Sequence, residues 1–269
     1  MAEGRPSWAP AEVALGQPSP ARIYDYLLGG SHNLAVDRQV AEQVLASMPD
    51  GRAQARANRA FLFRAVRHLV AVGIRQFLDL GSGIPTVGNV HEVARRAAPQ
   101  TRVVYVDIDP VAVAHARALL SGDPLTGVVG ADVRDVEGIL DSPEVGRLLD
   151  LDQPVGLLMV AILHVVPDAD DPTGLVRRLR DAVPPGSYLA IGHGTADSRP
   201  ENADRLTQIS RRTPTPMTPR TREQIAAFFD GFTLLDPGLV WAPLWRPDPG
   251  DDIDHPEQAA NYGGVGYRP

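Results

Sequence analysis

The sequence predicts an α/β fold, a three-layer sandwich in which a mostly parallel sheet lies between helices. Short apolar runs recur at 76–80, 102–107, 127–131, 155–161 and 188–193, each the length of one buried strand. Between them lie helix-start signals: Asp109-Pro110, Asp135, Ser142-Pro143 and Asp171-Pro172. The strand runs are continuously apolar rather than alternating, which is the pattern of a sheet covered on both faces.

Taken in order, residues 1–18 are rich in Pro and Gly, without periodicity, and read as a flexible tail. Ser19-Pro20 starts a short helix that stops at Gly29-Gly30. A second helix from about Asp37 carries Val40, Val44 and Met48 on one face and ends at Pro49-Asp50-Gly51. A third, over 54–72, turns Phe61, Ala65 and Leu69 inward and ends at Gly73. Residues 19–73 are thus expected to form an N-terminal helical lid, and 74–246 the core. Within the core a helix is expected over 86–97, and Thr221 with Gln224 forms a capping box for a helix ending at Gly231. Two strand candidates, 232–235 and 239–244, sit close enough to be antiparallel neighbours. Residues 195–220 read as an insertion near the acceptor pocket, and 247–269, dominated by Pro, Asp and Gly, as an irregular C-terminal segment.

Composition removes whole classes of chemistry. The chain has no Cys, which excludes thiol nucleophiles, Cys-ligated zinc and iron–sulfur clusters. All 26 basic residues are Arg, so Schiff-base catalysis and a P-loop lysine are excluded. Neither G-x-S-x-G nor H-E-x-x-H occurs. A net charge of −7 leaves no basic footprint for nucleic acid. The longest apolar run, 155–166, is broken by His164 and too short to span a bilayer, and the N-terminus lacks a signal-peptide layout. The expectation is a cytoplasmic protein without membrane or nucleic-acid partners, whose chemistry is done mainly by a bound cofactor and needs no metal.

The strand ends carry that chemistry. Asp79-Leu80-Gly81-Ser82-Gly83 places a glycine-rich turn after the first strand, at the crevice where parallel sheets bind ligands. Asp107 ends the second strand, where a carboxylate can accept from both hydroxyls of a ribose, with Ile108 beside it. Asp132, followed by Val133, ends the third, where it can accept from an adenine amine. Ala161 ends the fourth. Asp109 is read as a helix cap. A nicotinamide site would want G-x-G-x-x-G, but Thr86 stands at the third glycine position and Pro85 lies inside the turn. Asp79 would repel a pyrophosphate and attract an amino-acid ammonium, which favours S-adenosylmethionine over NAD.

The same residues resemble a known family. Ser19-Pro20-Ala21-Arg22-Ile23-Tyr24-Asp25-Tyr26-Leu27-Leu28-Gly29-Gly30, Ala35-Val36-Asp37-Arg38, Arg56-Ala57-Asn58-Arg59, the stretch from Gly81 to Glu92, and Asn261-Tyr262-Gly263-Gly264-Val265 are similar to the signatures of actinobacterial S-adenosylmethionine-dependent methyltransferases formerly grouped as a domain of unknown function. The resemblance implies the class I methyltransferase, Rossmann-like fold: seven strands, the last antiparallel. It implies that Asp79, Gly81 and Gly83 hold the methionine end, Asp107 the ribose and Asp132 the adenine. Pro85 departs from the wider class. The resemblance names no acceptor.

Other residues carry two readings each. Tyr24, Asp25, Tyr26, His32 and Asn33 form either a lid over the sulfonium and acceptor or the packing of one short helix. Asn58 and Arg59 either reach the cofactor carboxylate or lie on a solvated helix face. His164 and His193, after the fourth and fifth strands, are candidate bases or hydrogen-bonded structural histidines. Asp248, Asp251, Asp252, Asp254 and His255 match no calcium loop and read as a solvated acidic stretch. Ala161-Ile162-Leu163-His164 lacks the Asn/Asp-Pro-Pro-Tyr pattern of adenine N6 methylases. The leading expectation is methyl transfer to a small-molecule oxygen or nitrogen. A nicotinamide-dependent oxidoreductase and a non-catalytic S-adenosylmethionine-binding regulator are the alternatives.

Overall fold

Strand β1 (Gln76–Leu80) is buried at every position because helices cover both its faces. It pairs in parallel with β2 (Arg102–Asp107) on one side and β4 (Gly156–Val160) on the other. Strand β3 (Thr126–Gly130) extends the sheet beyond β2, and β5 (Tyr188–Gly194) beyond β4. The computed structural model describes residues 16–84, 88–198, 216–251 and 253–269. The helix start expected at Thr86, the tail up to residue 15 and most of the 195–220 insertion lie outside them.

Alternate residues along the strands feed two cores. Leu78, Leu80, Val104 and Val106 pack against helices α6 (Val136–Leu140), α7 (Pro143–Leu148) and α8 (Pro172–Asp181). Phe77, Val103 and Tyr105 pack against α3 (Gly51–Ala71), α4 (Val90–Arg95) and α5 (Pro110–Leu119). Each fully buried Leu or Phe contributes roughly 1.5–3 kcal/mol. The sandwich is the one expected, although α4 begins at Val90. Gly88 takes φ +84°, and Glu92 accepts the Gly88 and Asn89 N–H groups, so the helix begins there. Thr221 and Gln224 exchange the expected capping-box bonds at the head of α9 (Arg222–Ala226).

The expected lid divides in two. Helix α3 belongs to the core layer, since Phe61 and Leu69 are wholly buried in the same cluster as Phe77. The cap proper is α1 (Pro20–Leu27) and α2 (Ala35–Ser47). Ser19 precedes α1 as expected, but its hydroxyl bonds Asp109 instead of capping the helix. The buried Arg22 guanidinium bridges Asp37 on α2 (2.7 Å) and Asp109 on the core (3.3 Å). Asp37, fully buried, also accepts the Ser19 and Leu34 N–H groups.

The C-terminal segment is not irregular. Asn261–Tyr267 forms β8, antiparallel to β5 along its whole length. The two strands expected to pair with each other, β6 (Thr233–Leu234) and β7 (Val240–Trp241), instead each pair with β8. Seven strands lie in the order β3-β2-β1-β4-β5-β8-β6, and β7 is an extra pairing at β8. The glycines that disguise β8 in the sequence are what let helices approach it. A Cβ on Gly263 would stand 2.7 Å from the Phe61 ring, and one on Gly266 2.8 Å from Phe232 Cβ. The stretch leading to β8 is held by Arg64, which donates to the carbonyls of Trp245 (2.9 Å) and Ala242 (2.7 Å) and pairs with Asp251. The acidic stretch thus includes ion-pair partners, Asp251 for Arg64 and Asp248 for Arg67.

Gly263→Ala is expected to lower the unfolding free energy by about 1–3 kcal/mol in urea titration, because Phe61 has no room to yield. Gly146→Ala, on α7 with nothing within 4 Å of the added carbon, is expected to be neutral or stabilising by about 0.5–1 kcal/mol.

Candidate functional site

The turn after β1 is shaped by its neighbours. Gly81 and Gly83 take φ of +73° and +68°, where a side chain would be strained. The Gly81 and Ser82 N–H groups both donate to the Val106 carbonyl, which pins the turn to β2. Asp107, at the end of β2, accepts the Gly83 N–H at 2.7 Å and the Asp109 N–H at 2.8 Å. Asp109 in turn caps α5 through the Val111 and Ala112 N–H groups, as expected, and also receives Ser19 and Arg22. One carboxylate therefore sets the turn and the next helix start together.

Asp79 lies two residues ahead of the turn, nearly buried, and accepts no hydrogen bond from any described residue. Burial pushes its carboxyl up to about 7, with Asp107 adding to the rise and Arg59 opposing it. Burial also raises Asp107, to about 6, against the lowering effect of the Asp109, Gly83 and Ile108 N–H groups. Asp79, Arg59, Ser82, Gly83 and Tyr105 line one cleft. Arg59, on α3, makes no ion pair or hydrogen bond with another described residue there; its guanidinium lies 5.8 Å from the centre of the Tyr24 ring. A carboxyl and a guanidinium in one cleft, neither bonded to another described residue, can receive the ammonium and carboxylate of an amino acid.

The other strand ends differ from expectation in detail. Ile108 is 67% exposed beside Asp107, an apolar side chain available to a flat ring. Asp132 is already engaged: both its oxygens lie about the Arg134 guanidinium, which also reaches Asp170 at 2.6 Å. The Arg134 bonds hold the Asp132 carboxyl below its usual range. Val133 is buried behind it. Ala161 takes φ +65°, a strained conformation for a residue with a Cβ, and its N–H donates to Gly192.

Of the expected lid residues, only Tyr24 reaches the site wall. Its hydroxyl donates to Ala55 O at 3.1 Å and accepts from Asn58 Nδ2 at 3.0 Å. Asn58 is buried, with its Oδ1 turned to Gly192 and no donor. Asp25, His32 and Asn33 mainly bind one another: Asp25 accepts the His32 N–H and the Asn33 amide, fixing the turn between α1 and α2. The His32 ring also packs edge-on against His115 of α5. Tyr26 faces away, bonding Glu42 and lying under Arg52.

Neither histidine is arranged to take a proton. His193 is wholly buried; its Nδ1 donates to Gly194 O (2.7 Å) and its Nε2 accepts from Arg220 (3.1 Å). His164 accepts the Gly194 N–H on Nδ1 at 3.3 Å, which leaves its proton on Nε2. Burial, aided by Arg220, pushes His164 down to about 4 and His193 well below the usual range. Arg220 was not legible in the sequence. Nearly buried, it donates to Leu163 O, Val166 O and Asp168, and so fixes the loop after β4.

Residues 6–269 match a protein family described as S-adenosyl methyltransferase. The chain belongs to that family. A family member from Streptomyces avermitilis shares 42% identity at a TM-score of 0.90, over 94% of this chain and 98% of that one. A Thermobifida fusca protein assigned as a methyltransferase also shares 42% identity, with a TM-score of 0.92 over 98% and 99%. An O-methyltransferase family protein from Burkholderia thailandensis, 18% identical, aligns over 84% of this chain and 62% of that one at a TM-score of 0.51, a likeness of fold alone. No protein of curated function matches. No helix among the described residues is long and apolar enough to cross a membrane.

Burial makes Asp79 a group whose ionisation affects the stability of the fold. Its folded value, about 7, lies above the ordinary 3.8, so the stability it contributes is full below about 3.8 and lost as pH rises to about 7. Each pH unit in that window is worth at most about 1.4 kcal/mol. In ligand-free protein, Asp79→Asn is therefore expected to melt progressively higher than wild type as pH rises from about 4 to about 7, the difference levelling off above that. Each kcal/mol gained should raise Tm by roughly 2–4 °C, read by differential scanning calorimetry.

Proposed function

We propose that this methyltransferase binds S-adenosylmethionine at the ends of β1 and β2 and moves its methyl group to a small-molecule oxygen or nitrogen. One observation carries the reading: the buried carboxyl of Asp79, which receives no hydrogen bond from the described residues, shares a cleft with the Arg59 guanidinium, which pairs with no described carboxylate. Asp79 would take the methionine ammonium and Arg59 the carboxylate. Asp107, whose oxygens keep lone pairs beyond the two N–H bonds, would accept the ribose hydroxyls, and Ile108 would cover the adenine. For the adenine amine, Asp132 remains the candidate in its pairing with Arg134. A dinucleotide fits poorly, since a pyrophosphate at this turn would meet Asp79.

The bound donor supplies an activated methyl group on a sulfonium. The chain has to hold both ends of the amino acid, keep the ribose against Asp107 and present the acceptor in line, and alignment alone can contribute about 7–11 kcal/mol. Tyr24, stacked on Arg59 and bonded to Asn58, couples the cap to that alignment.

Isothermal calorimetry is expected to show binding of S-adenosylmethionine and S-adenosylhomocysteine, and none of NAD or NADP. Asp107→Ala should weaken S-adenosylhomocysteine by roughly ten- to a hundredfold. NADP binding with no response to S-adenosylhomocysteine would overturn the proposal.

A further inference from the structure

Asp107 is held by a residue that is itself held from outside the core. Its Oδ1 accepts the Asp109 N–H at 2.8 Å and its Oδ2 the Gly83 N–H at 2.7 Å, so those two donors set how the carboxylate lies. Asp109 divides its own oxygens. Oδ1 accepts the Val111 N–H (2.7 Å) at the start of α5, while Oδ2 takes the Ser19 hydroxyl and Arg22 Nη1 (3.3 Å). Arg22 is the hub on the cap side: its Nε donates to Asp37 at 2.7 Å and its Nη2 to Gln17 O at 2.6 Å. The cap also meets the other wall of the crevice. Leu34, between α1 and α2, packs with Ile84, the residue after Gly83, and with Val111 and Ala112. Both donors that fix Asp107 therefore stand next to residues on which the cap closes.

We propose that Arg22 is a positioning residue for the cofactor ribose: through Asp109 it holds Asp107 in the orientation that accepts the ribose hydroxyls, so ribose recognition depends on the docked cap. This rests on the reading of Asp107 given above. A carboxylate anchored at both oxygens before the ligand arrives needs no further ordering to accept hydroxyls. Without Arg22 Nη1, Asp109 Oδ2 keeps only the Ser19 hydroxyl on the cap side. A buried carboxylate that loses its cation shifts toward whatever donors remain. The N–H that shifts with Asp109 is the one Asp107 Oδ1 accepts, and hydrogen bonds weaken steeply once misaligned. The effect falls on the ribose hydroxyls, because Arg22 reaches the crevice only through Asp109 and Asp107.

The test compares, by calorimetry on the full chain, S-adenosylhomocysteine with its 2′,3′-dideoxy analogue, which lacks both ribose hydroxyls. Wild type is expected to favour S-adenosylhomocysteine by about tenfold or more. Arg22→Gln should cut that preference by about fivefold or more, while affinity for the analogue stays within about twofold. Ser19→Ala removes one bond to Asp109 and should cut the preference by a smaller factor; it carries the comparison if the glutamine variant does not fold. Asp25→Asn disturbs the turn between α1 and α2 without touching Asp109, and should melt lower yet keep the wild-type preference. Three results would overturn the proposal: a wild-type preference in both Arg22→Gln and Ser19→Ala, equal weakening of the two ligands, or a loss of preference in Asp25→Asn as large as in Arg22→Gln. Wild type that bound both ligands equally would instead strike the ribose reading of Asp107 beneath it.

Discussion

Two carboxylates buried side by side at the ends of β1 and β2 constrain everything around them. A buried carboxylate is costly unless donors or cations surround it, and a second one nearby raises the cost. Asp107 is compensated from within the fold, by the Gly83 and Asp109 N–H groups. That requirement explains a turn tight enough to present the Gly83 N–H and a helix that starts at Asp109. Asp79 receives no hydrogen bond from the described residues, and the Arg59 charge opposes the rise that burial and Asp107 impose on it. A destabilising group kept at a strand end is a common cost of a functional site, and the proposed ammonium contact would relieve it.

The N-terminal cap depends on the same edge. Ser19 and Arg22 close on Asp109, whose N–H holds Asp107, and Arg22 also holds Asp37 at the start of α2. Removing one partner of such a buried set leaves the others uncompensated, so the N-terminal helices and Asp107 are linked through a single residue, Asp109. On the other side of the cleft, Tyr24 meets Arg59 and Asn58 of α3. Helix α1 thus reaches both sides of the cleft, α2 is tied to it through Arg22 and Asp37, and α3 remains part of the core.

Much of this was legible in the sequence where local chemistry decides structure. Strand β2 and the Asp109-Pro110 start of α5 follow directly from an apolar run and a cap. The glycine-rich turn and its flanking Asp79 and Asp107 were legible because strand ends and glycines mark ligand crevices. Strand β8 was not, because Gly263, Gly264 and Gly266 give it the look of a loop. Their purpose emerges only when Phe61, Phe229 and Phe232 are seen lying on them. Nor could spacing show that Asp132 is held by Arg134, that His193 is locked by Arg220 from 27 residues away, or that Tyr26 faces Glu42. Those depend on side-chain direction and on contacts distant in the chain. The family resemblance placed the fold and the cofactor class.

The central claim is that Asp79 is kept ready for an ammonium, and proton release on binding tests it most directly. At pH 6.5, below the value of about 7, most ligand-free protein carries a protonated Asp79. Binding an ammonium there should expel that proton. Calorimetric titration of S-adenosylhomocysteine in two buffers of different ionisation enthalpy counts protons directly. Wild type is expected to release more than half a proton per ligand at pH 6.5, less at pH 8, and Asp79→Asn none through this group. Binding by wild type with no proton released at pH 6.5 would contradict the account.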